Sequence, residues 1–225
     1  KRNKNFFKKA DIVVTNSNYM KKKLKEKIEI ESKVVFPFID VSKYEMEKKF
    51  LNEERQFITF STLKKGKGGE IVLKIAEKLP EKQFLILEGK TPDKKLLKEA
   101  REKNNIICKG WVDNMQDIFK KTRLLLMPSL VEEGFGRMPI EAGINGIPTI
   151  GSNKGGLPES IGKGGIVIED IWNIDKWVKN IKKFDNKNFY LTMQKRAVDN
   201  AKEKDASKMV EKLKKIVEKE LNIVL

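Results

Sequence analysis

The sequence predicts an α/β domain: a Rossmann-like parallel sheet with helices on both faces, ending in C-terminal helices. Two observations predict it. Short runs that are apolar at consecutive positions recur along the chain, and such runs fit strands buried on both faces. Between them lie segments with the 3.6-residue period of helices, joined by short connections, as in right-handed strand–helix–strand crossovers. DIVVT, KVVF, QFITF, FLILEG, IICKG, RLLLMPS and PTIGS are the predicted strands.

The opening 50 residues hold a strand, a lysine-rich helix, a second strand and then PFIDVSKY, which reads as a connector between two units. The domain core runs from Phe57 to about Ile168. QFITF leads into the glycine turn KKGKGGE and a helix over 71–79, whose buried face is Ile71, Val72, Ile75, Ala76 and Leu79. Leu96, Leu97 and Ala100 line the next helix. Pro139 suits the first position of a helix that reaches about Asn145, where Gly146 and Pro148 end it. After Ile168 the strands stop. Ile174, Trp177, Val178, Ile181 and Phe184 form one amphipathic stripe, and Met209, Val210, Leu213, Ile216, Val217 and Leu221 form another. Two or three helices therefore close the chain.

Composition removes several functions. Histidine is absent, which excludes Ser-His-Asp, Cys-His and His-metal chemistry. Cys108 is the only cysteine, so no internal disulfide forms; it reads as a buried strand thiol, and a reducing, cytoplasmic compartment fits. No run of 18 apolar residues exists. The chain begins at Lys1 without a signal-peptide pattern, so it reads as part of a longer polypeptide. The net charge of +16 invites a polyanion partner, yet only six of the 48 basic residues are arginine, the side chain suited to bidentate phosphate contacts. The lysines alternate with glutamates along the helices. They are read first as solvated helix faces, then as a basic surface for an acidic membrane face or acceptor; no nucleic acid is expected.

The glycine clusters are not the familiar nucleotide loops. KKGKGGE lacks the spacing of a P-loop, and neither Gly66-x-Gly68 nor Gly162-x-Gly164 completes G-x-G-x-x-G. Lys67 nevertheless sits after a strand and before a helix, where open parallel sheets bind ligands and helix amino ends face anions. A solvated turn lysine is the plain alternative. EEGFGRMPIE places Glu133 in the loop after RLLLMPS and Glu141 in the first turn of the next helix. Ionised carboxylates only accept hydrogen bonds and so suit paired sugar hydroxyls, while the amides of that helix end suit a diphosphate between them. A loop glutamate beside a helix-dipole glutamate is the plainer reading. A glycosidase pair would leave the anion-binding helix end without a purpose.

PSLVEEGFGRMPIEAGINGIPTIGSNKGGLPESIGKGGIVIED resembles the donor-binding motif of the retaining glycosyltransferases of family 4, which have the GT-B fold. The Glu-x7-Glu signature is met by Glu133 and Glu141, followed by Gly146, Pro148 and the Gly155-Gly156-x-Pro158-Glu159 turn. ADIVVTNSNYMKKKL and VVFPFID resemble the last strand and helix of that family's N-terminal domain and the interdomain linker. FITFSTLKKGKGGEIVLKIAEKLP and IICKGWVDNMQDIFKKTRLLLMPSLVEEGFG resemble the first strand–helix of the donor domain and the stretch from the base-binding loop to the glutamates.

The resemblance implies a nucleoside-diphosphate sugar, of UDP or GDP type, as partner and substrate, with no cofactor and no metal; no Asp-x-Asp pair occurs in the chain. It implies that Lys67 neutralises the departing diphosphate, that Glu133 holds the transferred sugar and that Glu141 binds ribose hydroxyls. Phe135, Gly136 and Arg137 would offer backbone amides to sugar and phosphate. Gly110, Trp111 and Val112 would lie against the base, with Trp111 as a packing residue the alternative. Many members carry a second cation, an arginine, ahead of the lysine. Ser61 and Thr62 stand there instead, leaving Lys64 or Lys65 as substitutes. The implied organisation is residues 1–50 as the tail of an acceptor domain plus linker, 51–170 as the nucleotide-sugar-binding domain, and 171–225 as helices completing it and reaching toward the rest of the protein. Most of the acceptor half is outside this chain, so the isolated chain is expected to bind nucleotide but to transfer sugar poorly. The acceptor stays open: glycan, lipid or protein, with peripheral contact at the cytoplasmic membrane face. A non-catalytic nucleotide-sugar-binding module and a lysine-rich polyanion adaptor are the rival readings, and a phosphorylase or epimerase shares the architecture.

Overall fold

Six parallel strands form the sheet that organises the molecule, in the order β5-β4-β3-β6-β7-β8. They are β3 (Phe57–Phe60), β4 (Phe84–Leu87), β5 (Ile106–Lys109), β6 (Thr122–Met127), β7 (Thr149–Ser152) and β8 (Gly165–Ile168). The computed structural model describes residues 7, 9–43 and 55–224. The expected boundary between residues 50 and 51, and the polar stretch around it, lie outside the described residues.

The continuous apolar runs work as the sequence suggested: every residue of β3 and β4 is buried. Alternation then sorts side chains between two layers. Ile58, Phe60, Phe84, Ile86, Leu124, Leu126 and Ile150 meet one set of helices. Those are α2 (Gly69–Lys78), α3 (Lys94–Arg101) and α7 (Ile174–Lys183). On the opposite face Leu125 packs with Phe119 and Ala142, and Phe57, Leu85 and Leu87 pack with Ile118. These partners come from α4 (Gln116–Phe119) and α5 (Met138–Ile144). Thr59 and Thr122, the polar members of that layer, satisfy each other at 2.7 Å, which removes the cost of burying two hydroxyls.

α6 (Leu157–Ile161), α8 (Lys187–Lys202) and α9 (Ala206–Leu221) complete the described helices after β7. The first C-terminal stripe is core: Trp177 is fully buried, its indole N–H donates to the Ile171 carbonyl at 2.8 Å, and Ile181 and Phe184 are buried beside it. Trp177→Ala is expected to cost about 3–5 kcal/mol, read as a lower urea midpoint at unchanged slope.

Three expectations change. β8 is a strand that the sequence did not reveal; it lies at the sheet edge and is mostly half-buried, so it lacks the continuous apolar signature. The second stripe is not buried here: Met209 is the one buried residue of α9, and Val210 and Leu221 are exposed. Periodicity shows that a helix has an apolar face, not what covers it. Cys108 is half-buried rather than buried, because β5 is the other edge strand; partial burial pushes its thiol upward. The opening strand, helix and strand are present as expected: DIVVT and KVVF supply β1 (Val14–Thr15) and β2 (Lys33–Val34), a separate two-stranded parallel sheet flanking α1 (Asn18–Ile28).

The connector after β2 is tied to the α8–α9 junction. Ile39 is fully buried, its carbonyl accepts from the Ala206 amide at 3.0 Å, and the Asp205 carboxylate accepts from the Val41 amide at 3.1 Å. Asp205 also caps α9 through the Ser207 amide, and hydrogen bonds led by the Ser207 hydroxyl hold its carboxyl below the usual range.

Candidate functional site

Three loops at the carboxyl ends of β3, β5 and β6 meet at one end of the sheet. The first follows β3 through a tight turn at Lys65–Lys67 into α2. Gly68 joins turn to helix at φ +83°, and a Cβ there would lie 2.0 Å from the Pro128 carbonyl oxygen. Only glycine allows that approach. The close fit aligns two loops: the Leu130 and Val131 amides donate to the Gly66 carbonyl at 3.0 and 3.2 Å.

Lys67 and Glu133 are brought together by this fit. Lys67 Nζ lies 2.5 Å from Glu133 Oε1, with the lysine 38% and the glutamate 14% exposed in their side chains. Ser129 donates its hydroxyl to the same carboxylate oxygen at 2.9 Å. Ser129 is itself buried, and its carbonyl accepts from Ser152 Oγ at 2.6 Å. Neither serine was singled out from the sequence. Their signal is only positional: each stands at or just past the end of a predicted strand.

The Glu133 backbone is held from the other side. Its carbonyl accepts from the Gly156 amide at 2.7 Å, and Glu133 bridges Gly155 in the manner of a short parallel strand pair. The Gly-Gly-x-Pro-Glu turn therefore supports the glutamate loop. Glu159 of that turn accepts from the Asn18 and Tyr19 amides at 2.8 and 2.7 Å, placing a carboxylate at the amino end of α1. Ser17, the N-cap of α1, donates to the Gly134 carbonyl at 2.5 Å. Adjacent glutamates thus diverge: Glu133 turns to Lys67, whereas Glu132 pairs with Lys23 of α1, which holds the Glu132 carboxyl low.

Glu141 stands in the first turn of α5, as expected, with Pro139 in that turn and Gly146 beyond its end at φ +64°. Its side chain is 12% exposed, and Arg137 Nε lies 3.3 Å from Oε1. Phe135 behaves differently from a loop residue. It is 2% exposed and stacks on Phe36 of the connector, centroids 5.2 Å apart. Only its backbone can serve a ligand.

Of the remaining predicted residues, Ser61, Thr62, Lys64, Gly110, Trp111 and Val112 line one cavity of about 340 Å³, whereas Gly136, at φ +82° in the loop before α5, is not in that lining. Met138, at the start of α5, closes it on the glutamate side. Trp111 is 57% exposed, donates to Asp113 Oδ1 at 2.7 Å, and carries Lys90 Nζ 4.6 Å above its ring. Trp111 is thus not packed into the core of the described residues. Of the two substitute cations, Lys64 faces the cavity while Lys65 lies 4.0 Å from Glu70. The Lys67–Glu133 pair is not part of this lining. Chemically the end of the sheet offers a flat aromatic wall, a helix amino end, a cation and two ordered carboxylates. Among the described residues no group of three or more Asp, Glu or Cys side chains is placed to hold a metal ion, and no helix is long and apolar enough to cross a membrane.

The family model described as glycosyl transferases group 1 matches residues 41–220. Two curated relatives align over parts of the chain. Protein CapJ of Staphylococcus aureus is 35% identical over 112 residues, 46% of this chain and 28% of that protein. An uncharacterized 41.2 kDa protein in the cps region of Klebsiella pneumoniae is 43% identical over 68 residues, 29% of this chain and 19% of that protein. Among solved structures, a glycosyltransferase from Rickettsia africae superposes with a TM-score of 0.82 at 18% identity, covering 97% of this chain and 66% of that one. HepE of Anabaena in complex with UDP-glucose superposes with a TM-score of 0.80 at 16% identity, covering 93% and 64%. At these identities the structures establish the fold alone. The chain spans less than two thirds of the length of each of these proteins.

Proposed function

Since the chain belongs to the group 1 glycosyl transferases, of GT-B type, we propose that it is the donor-binding half of a retaining, metal-independent enzyme of family 4. It binds a nucleoside-diphosphate sugar, of UDP or GDP type, for transfer of the sugar to an acceptor hydroxyl. The observation that carries this reading is the meeting of Lys67 and Glu133 beside the amino end of α5 and the Trp111 cavity. HepE holds UDP-glucose on the same fold, which supports a nucleotide-sugar as ligand.

Each residue then has a task. The base lies along Gly110, Trp111 and Val112, with Ser61 and Thr62 opposite. Glu141 accepts from ribose hydroxyls, and the amides of Phe135, Gly136 and Arg137 face the sugar and diphosphate. The Lys67 ammonium stabilises the charge that grows on the leaving diphosphate, the work a divalent cation does elsewhere; Lys64 is the second cation. Glu133 holds the sugar hydroxyls near the developing positive charge. The acceptor half of the protein closes the cleft against water, so this chain alone binds donor without efficient transfer. The lysine-rich surface suits work in the cytoplasm at an anionic membrane face.

Calorimetric titration with UDP, GDP, ADP and CMP tests the proposal. One nucleoside diphosphate is expected to bind saturably, and Lys67→Ala to weaken it by about tenfold or more, the loss of a charge-assisted phosphate contact. Binding indifferent to Lys67, or salt-sensitive binding of any polyanion alike, would overturn it in favour of a surface adaptor.

A further inference from the structure

The contact between Lys67 and Glu133 stands in the way of the tasks proposed for both. The ammonium is 2.5 Å from Glu133 Oε1, so a diphosphate that engages Lys67 competes with the carboxylate for its charge. We propose that this exchange makes Glu133 a specificity-determining residue, one that favours the sugar-bearing nucleotide over the free nucleoside diphosphate. The inference rests on the donor-site reading above.

Glu133 is mostly buried, so water replaces a departing cation poorly. Once Lys67 turns away, the Ser129 hydroxyl, 2.9 Å from Oε1 and also 3.1 Å from the Val131 carbonyl, is the described donor that stays on the carboxylate. Ser129 cannot move far to compensate, because it is buried and its carbonyl is bonded to Ser152. A sugar attached to the diphosphate brings hydroxyl donors to the carboxylate and replaces what Lys67 supplied. A free nucleoside diphosphate brings only further negative charge beside it. Before transfer the exchange is therefore compensated, and after transfer it is not. Glu133 then reclaims Lys67, and the same ion pair that yields to the donor expels the product.

Calorimetry on this chain decides it, with UDP, GDP and ADP each compared with UDP-glucose, GDP-mannose and ADP-glucose. Glu133→Gln keeps shape and removes the charge. It is expected to tighten the free diphosphate that binds by about three- to tenfold, the range for a partly exposed ion pair, with no gain for the sugar nucleotide. Ser129→Ala is expected to shift the free diphosphate the other way, toward weaker binding, since Glu133 loses the donor it keeps. A gain in affinity cannot come from misfolding. Should Glu133→Gln fail to melt cooperatively, Glu133→Ala carries the same expected sign. A folded Glu133 variant that binds the free diphosphate no more tightly than the parent overturns the inference and leaves the donor site standing. If none of the three diphosphates binds the parent chain, the donor-site reading fails and the inference with it.

Discussion

Glu141→Ala is expected to weaken nucleoside-diphosphate binding by about ten- to a hundredfold, the loss of about 1.5–3 kcal/mol from charge-assisted hydrogen bonds. The carboxylate is 12% exposed, sits in the first turn of α5 and has Arg137 Nε 3.3 Å from one oxygen. It is therefore positioned before a ligand arrives, so little ordering cost would offset the bonds to two ribose hydroxyls that the proposed function assigns to it. Stability should fall by no more than about 1 kcal/mol, the worth of a carboxylate at a helix amino end. A 2′-deoxynucleotide supplies the cross-check. It should bind the parent chain more weakly than the ribonucleotide, and the Ala variant should no longer distinguish the two. An Ala variant that binds like the parent would remove Glu141 from the ribose.

Gly155→Ala should damage both the fold and the site. Gly155 has φ +63°, and a Cβ there would lie 2.2 Å from the Glu133 carbonyl oxygen and 2.6 Å from the Glu133 amide nitrogen. Backbone conformation and contact each cost about 1–3 kcal/mol, so a loss of about 2–6 kcal/mol is expected by urea titration. The methyl group can be accommodated only by moving the Glu133 backbone, which breaks its bond to the Gly156 amide and shifts the carboxylate from Lys67. Nucleotide binding should fall by tenfold or more at temperatures where the variant is still folded. Gly110→Ala is the stability control: a Cβ there meets nothing within 4 Å, and the cost should stay within about 0.5 kcal/mol.

Much of the fold was legible because burial leaves periodic marks. The two layers of the sheet follow from alternation in FITF, FLIL and TRLLLM, and α2 and α7 bury the faces their spacing indicates. The glycine–proline punctuation around α5 placed Glu141 in its first turn. β8 escaped because an edge strand is half-covered and its residues need not be uniformly apolar. Phe135 was readable only as a loop residue between glycines. Its burial depends on Phe36, which comes from a connector a hundred residues earlier in the chain.

By itself, the sequence determined five of the six strands of the main sheet, most of the helices that cover it and the residue types available for chemistry: no histidine, one cysteine, and glutamates and lysines in turns after strands. Local periodicity and turn chemistry suffice for that, because they act over a few residues. Only the tertiary structure decided which of those groups meet. Lys67 finds Glu133 rather than its neighbour Glu132 because Gly68 lets two loops close on one another and α1 takes Glu132 through Lys23. Ser129 and Ser152 become supports for the same carboxylate only once β6 and β7 lie side by side. Contacts between groups far apart in the chain depend on backbone approach at distances of tenths of an ångström, and no local pattern records that.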